Sequence, residues 1–212
     1  DGPTIPPRRA SEADGAESAI AEMLGGMALL QPLQQDLFAL ESDAEILLSL
    51  RESARILFDL PRTGFLLADA GDGKLSGKNI GGQPVIFRQV EIPLEEQRSL
   101  AAAAAVRQEI CSSFADPIIG RNSLIDLQFA RAFSSEGLLC IPMVARRRTV
   151  GVIVSGLSAN QYGRLARRLP WLLNFGKIAA LSLEALREAK SYRRQADQEA
   201  ASRFTRQARR VV

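Results

Sequence analysis

Two cysteines, Cys111 and Cys140, and no histidine among 212 residues bound the chemistry open to this sequence. Without histidine, the Ser-His-Asp and Cys-His nucleophilic mechanisms are closed, as are histidine-ligated haem and most zinc sites. Carboxylate or lysine chemistry stays open, without the usual general base. The two thiols are too few for a disulfide framework or a cysteine zinc site. Their apolar neighbours make them small buried hydrophobes in a reducing compartment. Asp69 and Asp72, in "ADAGDGK", could belong to a calcium loop, but the EF-hand spacing and its closing glutamate are missing. The same "GDGK" lacks the spacing and the following Ser or Thr of a phosphate-cradling P-loop. The expectation is no catalytic residue, no metal site, no cofactor and no intrinsic enzyme activity.

The elements that would position any site follow from pattern. Residues 1–16 hold three prolines and no apolar stripe and read as a linker. A helical pattern from Ser18 to Leu40 is interrupted by Gly25-Gly26 and Pro32. "SDAE" at 42–45 is a capping box, and behind it Ile46, Leu47, Leu50, Ala54, Leu57 and Phe58 fall on one helical face. Pro61 ends that helix. "GFLLADAGDGKLSG" gives two strands around an Asp-Gly turn, and 84–90 reads as a further extended piece. A small-residue helix spans 99–107, an extended segment 109–114 and a loop "ADPIIG". A helix then covers 122–132, with Leu124, Ile125, Leu127 and Phe129 mostly inward.

"GLLCIPMVARRRTVGVIVSGL", 137–157, holds two apolar runs split by Arg146, Arg147 and Arg148. As a membrane span it would place three cations near mid-bilayer, at roughly 2.5–3.5 kcal/mol each. As a hairpin it leaves them in water at the turn, and the valine and isoleucine content of the second run favours strand. A second capping box, "SANQ" at 158–161, opens a short helix ending near Pro170. From Trp171 the pattern is helical to the end of the sequence.

At 212 residues, 46% hydrophobic and 24% charged, the composition is that of a globular protein with one full core. No signal peptide or uncharged apolar run of spanning length is visible, so a cytoplasmic location without membrane contact is expected. The sequence begins with Asp, which reads as a piece of a longer chain. The net charge of +3 divides unevenly: residues 187–210 carry eight basic against three acidic residues, leaving the remainder about −2. The basic character belongs to the last helix, whose plain reading is a solvated face.

The order helix, hairpin, helical crossover, hairpin, helix resembles the GAF sensory domain. The resemblance rests on "FLLADAGDGKLSG", "SLAAAAAVRQEICSSFADP", the Cys-x-Pro strand within "GLLCIPMVARRRTVGVIVSGL", and "WLLNFGKIAALSLEAL". It implies an α+β fold, a GAF/PAS-like antiparallel β-sheet with helices packed on one face and a long C-terminal helix. Residues 1–41 would be a linker and helical lead-in, 42–190 the GAF domain and 191–212 a signalling-helix extension. The cyclic-nucleotide signature, the bilin-binding cysteine and histidine, and the cysteine set of free methionine sulfoxide reductases are not found.

What the resemblance implies is a regulatory, non-catalytic module of a bacterial signalling protein such as a two-component histidine kinase. It would bind an unidentified small molecule or partner and pass the signal through its last helix to a downstream output domain. A ligand would sit near Phe87, Phe114, Asp116, Ile119, Arg121 and Leu127. The same side chains read equally as a filled core. The partner expected is a second copy, a homodimer joined through first and last helices. Alternative readings are the effector-binding domain of a transcription regulator or a purely structural dimerisation module. Nucleic acid is not the expected partner, because no helix-turn-helix pattern accompanies the basic tail.

Overall fold

The computed structural model describes residues 28, 30–68, 71, 73–95, 98–116 and 123–208, with the backbone alone at 200–208. Asp69, Asp72, Ile119 and Arg121 lie outside these residues.

Helix α1 covers 30–38, and α2 runs Asp43–Phe58. The α2 capping box forms as its sequence requires: Ser42 Oγ accepts from the Glu45 amide at 3.2 Å, and Glu45 Oε2 accepts from the Ser42 amide at 3.1 Å. Its apolar stripe of Ile46, Leu47, Leu50, Ala54 and Phe58 is buried, and Asp59 closes the helix in the left-handed conformation. Strands β1 (Thr63–Ala68), β2 (Lys74–Gly77) and β3 (Glu91–Pro93) follow, then α3 (Leu100–Arg107) and β4 (Cys111–Ser112). Next come α4 (Leu124–Ala132), β5 (Gly137–Ala145), β6 (Arg148–Leu157), α5 (Ala159–Leu165) and α6 (Leu169–Ala208). The strands form one antiparallel sheet in the order β3-β2-β1-β6-β5-β4. No described helix is long and apolar enough to cross a membrane.

The α+β class and the long last helix match the sequence reading, but the helices cover both faces of the sheet rather than one. Along β5, Leu139, Ile141, Met143 and Ala145 point into a core closed by α1, α2, α5 and α6. Leu138 and Cys140 alternate with them and point into a second core under α3 and α4. A strand apolar in both directions needs both sides covered, which a one-sided layer cannot supply.

The three arginines between β5 and β6 divide their roles. Arg146 and Arg147 form the turn, with φ of 49° and 63°, and Arg148 already pairs with Ala145. Arg146 is more than a solvated tip, for it grips Glu188 of α6 through two contacts of 2.5 and 3.5 Å. The segment 84–90 is not extended: Val85–Arg88 forms a 3-10 turn, which drives Phe87 into the second core.

Pro142 sits in central strand β5 at no cost to the ladder. The Ser113 amide donates to Leu138 O, so the alternating bonds of residues 138, 140 and 142 face β4. Strand β4 begins at Cys111, opposite Cys140, and Pro142 therefore lies past its end. On the same spot α6 comes down onto the strand. A Cβ on Gly176 would stand 2.4 Å from Pro142 O, so only glycine permits this approach. Gly176→Ala, which in an exposed helix interior would gain about 1 kcal/mol, is expected here to lose roughly 1–3 kcal/mol by overpacking. Urea unfolding midpoints at unchanged slope measure the sign.

Candidate functional site

The space between the sheet and α3/α4, where the resemblance would place a ligand, is built mainly from rings and methyl groups. The 3-10 turn sets Phe87 flat over β1 at Gly64, where a Cβ would stand 2.5 Å from Phe87 Cζ. Phe87 stacks on Phe129 of α4 at 4.7 Å between centroids and tilts against Phe133 at 5.5 Å. Each such pair contributes about 0.5–1.5 kcal/mol beyond its buried area. Ala101 to Ala105 bring α3 down onto the same face, each of them buried.

One carboxylate joins the two helices of this layer. Ser123 caps α4, its Oγ accepting from the Asp126 amide at 3.3 Å, and the Asp126 side chain turns inward. Its Oδ2 accepts from the Leu100 amide at 2.9 Å, and its Oδ1 from Ser99 Oγ at 3.4 Å. Asp126 thus satisfies an open amide at the N-terminus of α3, where the helix dipole favours a negative charge. It is 3% exposed. Burial pushes its carboxyl up to about 6, against the hydrogen bonds to Leu100, Ser123 and Ser99 that pull it down.

Cys111 and Cys140 are opposite each other on β4 and β5, both free thiols and both buried in this core. Burial, with Asp116 adding, pushes the Cys111 thiol up to about 11. Burial, with Asp126 and Cys111 adding, also holds Cys140 well above its ordinary value. Thiols so raised carry almost no thiolate and are poor nucleophiles.

Of the sequence-predicted residues, the four that are described do not gather on one side of the sheet. Phe87 is buried under α4, whereas Phe114 lies on the opposite side of the sheet, packed on the α2/α6 core and stacked on Tyr162 at 5.1 Å. Asp116 follows β4 and donates its amide to Ser112 O at 2.8 Å. Leu127 is 44% exposed and Leu124 79%, so α4 is rotated from the expected inward set. Phe129 is inward as expected, and Asp126 takes the other buried position in place of the leucines. The signal for Asp126 was present as Ser123-x-x-Asp126, a helix-start pattern. Its reach to Leu100, 26 residues away, was not.

Clefts of mixed lining lie around the rim. One of about 210 Å³ opens between the end of α1 and α6, beside Phe38, Leu186, Lys190 and Arg193. One of about 270 Å³ lies between the end of α2 and α5, with Asp59, Gln161, Arg164 and Arg168. Another, of about 400 Å³, lies between Arg51 and Arg62. Among the described residues no three His, Cys, Asp or Glu side chains come together as a metal site would need.

No family model matches the sequence, and no curated protein matches it. Solved structures do match its fold. The GAF domain from Acinetobacter phosphoenolpyruvate-protein phosphotransferase is 16% identical at a TM-score of 0.56, over 78% of this chain and 94% of that one. The free methionine-R-sulfoxide reductase from Neisseria meningitidis, solved with its substrate, is 18% identical at 0.55, over 76% and 89%. Part of a methyl-accepting chemotaxis protein is 17% identical at 0.53, over 74% and 98%. These likenesses establish the GAF fold. They include a reductase and a domain of a chemotaxis protein, so the fold alone does not assign an activity.

The pH dependence of stability tests the Asp126 bridge. Its carboxyl lies at about 6 in the fold against an ordinary 3.8, so between these values the folded chain holds more proton than the unfolded one. Its favourable contribution is full below the ordinary value and is lost as pH rises through about 6, by roughly 2–3 kcal/mol. Asp126→Asn keeps an acceptor for Leu100 without the charge. It should remove that slope from the difference between the two proteins and be at least as stable as the parent at neutral pH. Urea unfolding of both across this range measures it.

Proposed function

We propose that this chain, a GAF fold with an overlong last helix, is a regulatory, non-catalytic sensory module. It takes up a small molecule or a partner and passes that event through α6 to an output domain such as a histidine kinase core. The observation that carries the reading is the length of α6. It has 40 residues, about 60 Å at 1.5 Å per residue. Its contacts with the core come from Leu172, Phe175, Ala179, Ala180 and Leu183, with Leu186 at the margin. Every residue from 191 to 199 is exposed. A helix of that sort is marginal alone, because packing supplies most helical stability.

A second copy supplies the packing. Phe38, Leu181 and Tyr192 are exposed to 48, 39 and 71%, and they stand on the first and last helices that would pair in a parallel bundle. The two helices that bound the domain are already tied within one chain: α2 packs on α6, and Lys190 Nζ lies 3.3 Å from Asp43 Oδ1. A shift of α2 would therefore be felt by α6, which is the bistable element a sensor requires. The thiols raised by burial and the absence of histidine support the non-catalytic part.

A second reading, a purely structural dimerisation module, is favoured by one observation. Phe87, Phe129 and Phe133 fill the α3/α4 side with no ligand needed. Both readings expect a dimer. The intact chain should sediment as a dimer at tens of micromolar. Truncation after Lys190 should leave cooperative unfolding intact and weaken association by about tenfold or more, near 1.4 kcal/mol. A monomer for the intact chain would sink the signalling-helix reading.

A further inference from the structure

We propose that the cleft between Arg51 of α2 and Arg62, just before β1, binds a small anion of the carboxylate or phosphate class. The inference deepens the sensory reading by naming a site and a chemical class, and it rests on that reading only for its consequence.

The cleft, about 400 Å³, is walled by Pro61, Gly82, Pro84, Ala132 and Phe133, with Arg51, Arg62, Thr63 and Gln83 as its polar groups. Its volume is in the range of small-molecule sites. No carboxylate is among these residues, and neither guanidinium lies in an ion pair with a described acid. Acids near them in sequence are engaged elsewhere. Glu52 is bound to Arg55, and Asp59 lies 3.3 Å from Arg164.

Both cations are held by the backbone instead. Arg51 Nη1 donates to Gly81 O at 2.5 Å, and Arg62 Nη1 donates to Ser134 O at 2.6 Å. A guanidinium has five N–H groups in a planar fork, so each keeps donors to spare. Gly82, with φ at +78°, makes room for this: a Cβ there would stand 2.3 Å from Arg51 Nη1. The other polar groups serve the fold. Gln83 Oε1 accepts from the Phe65 amide at 3.3 Å, where β2 no longer accompanies β1, and its Nε2 donates to Lys78 O. Thr63 Oγ1 donates to Leu60 O and shares a hydrogen with Ser155 Oγ, both at 2.9 Å.

What remains to meet a ligand is two anchored cations in one recess whose lining carries no carboxylate. An oxyanion offers the geometry and charge a guanidinium fork matches. Arg51 lies on α2, and α2 packs on α6, so an anion drawing Arg51 and Arg62 together would act on the helix pair that leaves the domain.

Titration calorimetry of the intact chain, with inorganic phosphate and separately with succinate, both at ionic strength fixed with chloride, tests this. Saturable binding at one site per chain is expected for at least one probe. It should weaken by about tenfold or more in Arg62→Gln and in Gly82→Ala, and stay unchanged in Arg167→Gln. Binding of phosphate alone or succinate alone identifies the source of the anion. In the unsubstituted chain, amide resonances of Thr63, Gly82 and Phe133 should move on titration, which needs no variant to fold. No saturable binding by either probe, unaltered binding in Arg62→Gln, or shifts confined to the basic last helix would overturn the proposal. A dimer that binds neither anion overturns the anion site alone, and a monomer that binds one overturns the sensory reading alone.

Discussion

Strand β5 runs through the middle of the molecule with apolar side chains on both faces, and each face has to be kept from water. The hairpin with β6 satisfies the backbone polar groups, and the two cores then form by alternation: Leu139 and Ile141 to one side, Leu138 and Cys140 to the other. Every other element is placed by that demand. Helices α2 and α6 close one side, and α3 and α4 close the second. The closest approach is made where β5 carries proline and α6 carries glycine, Pro142 and Gly176. Pro142 is tolerated because β4 ends before it, and Gly176 because a side chain there would meet the Pro142 carbonyl.

The two sides differ in kind. Under α3 and α4 the contacts are interlocked: stacked rings, a run of buried alanines, and a buried carboxylate holding one helix to the start of the other. That layer has little freedom to rearrange without leaving Asp126 or the Leu100 amide unpaired, a cost of about 1–3 kcal/mol for a buried polar group. On the opposite side, α2 and α6 meet through aliphatic side chains and Phe58 against Phe175, with ion pairs only at the rim. Apolar contacts are non-directional and allow small shifts that a buried hydrogen-bond network does not. The side packed by such contacts is the one that carries α6.

Charge is used in three ways. Arg146 fastens the hairpin tip to Glu188 of α6. Arg51 and Arg62 are fixed on carbonyl groups at the rim, neither in an ion pair with a described acid. The cations of residues 187–210 give the sequence its basic balance. The overall charge is therefore a poor guide to the domain, because the whole excess comes from residues 187–210 and the rest of the chain is about −2.

The features legible from the residue order are local. The capping boxes at Ser42 and Ser158, the two strand runs split by arginines, the small-residue helix and the unbroken final helix depend on residues within a few positions of one another. Their signals survive without knowledge of the rest. The pairings across the chain came from packing. An apolar run marks a strand as buried without saying on how many sides, so the helices on both faces were not legible. Leu127 and Phe129 are equally apolar, and which of them faces inward was settled by Asp126 reaching the Leu100 amide. Arg51 and Arg62 are eleven positions apart on different elements, with no pattern linking them, and they share a cleft only because α2 packs beside the start of β1. Local propensity depends on neighbours in the chain, whereas a site depends on neighbours in space, and only packing turns the one into the other.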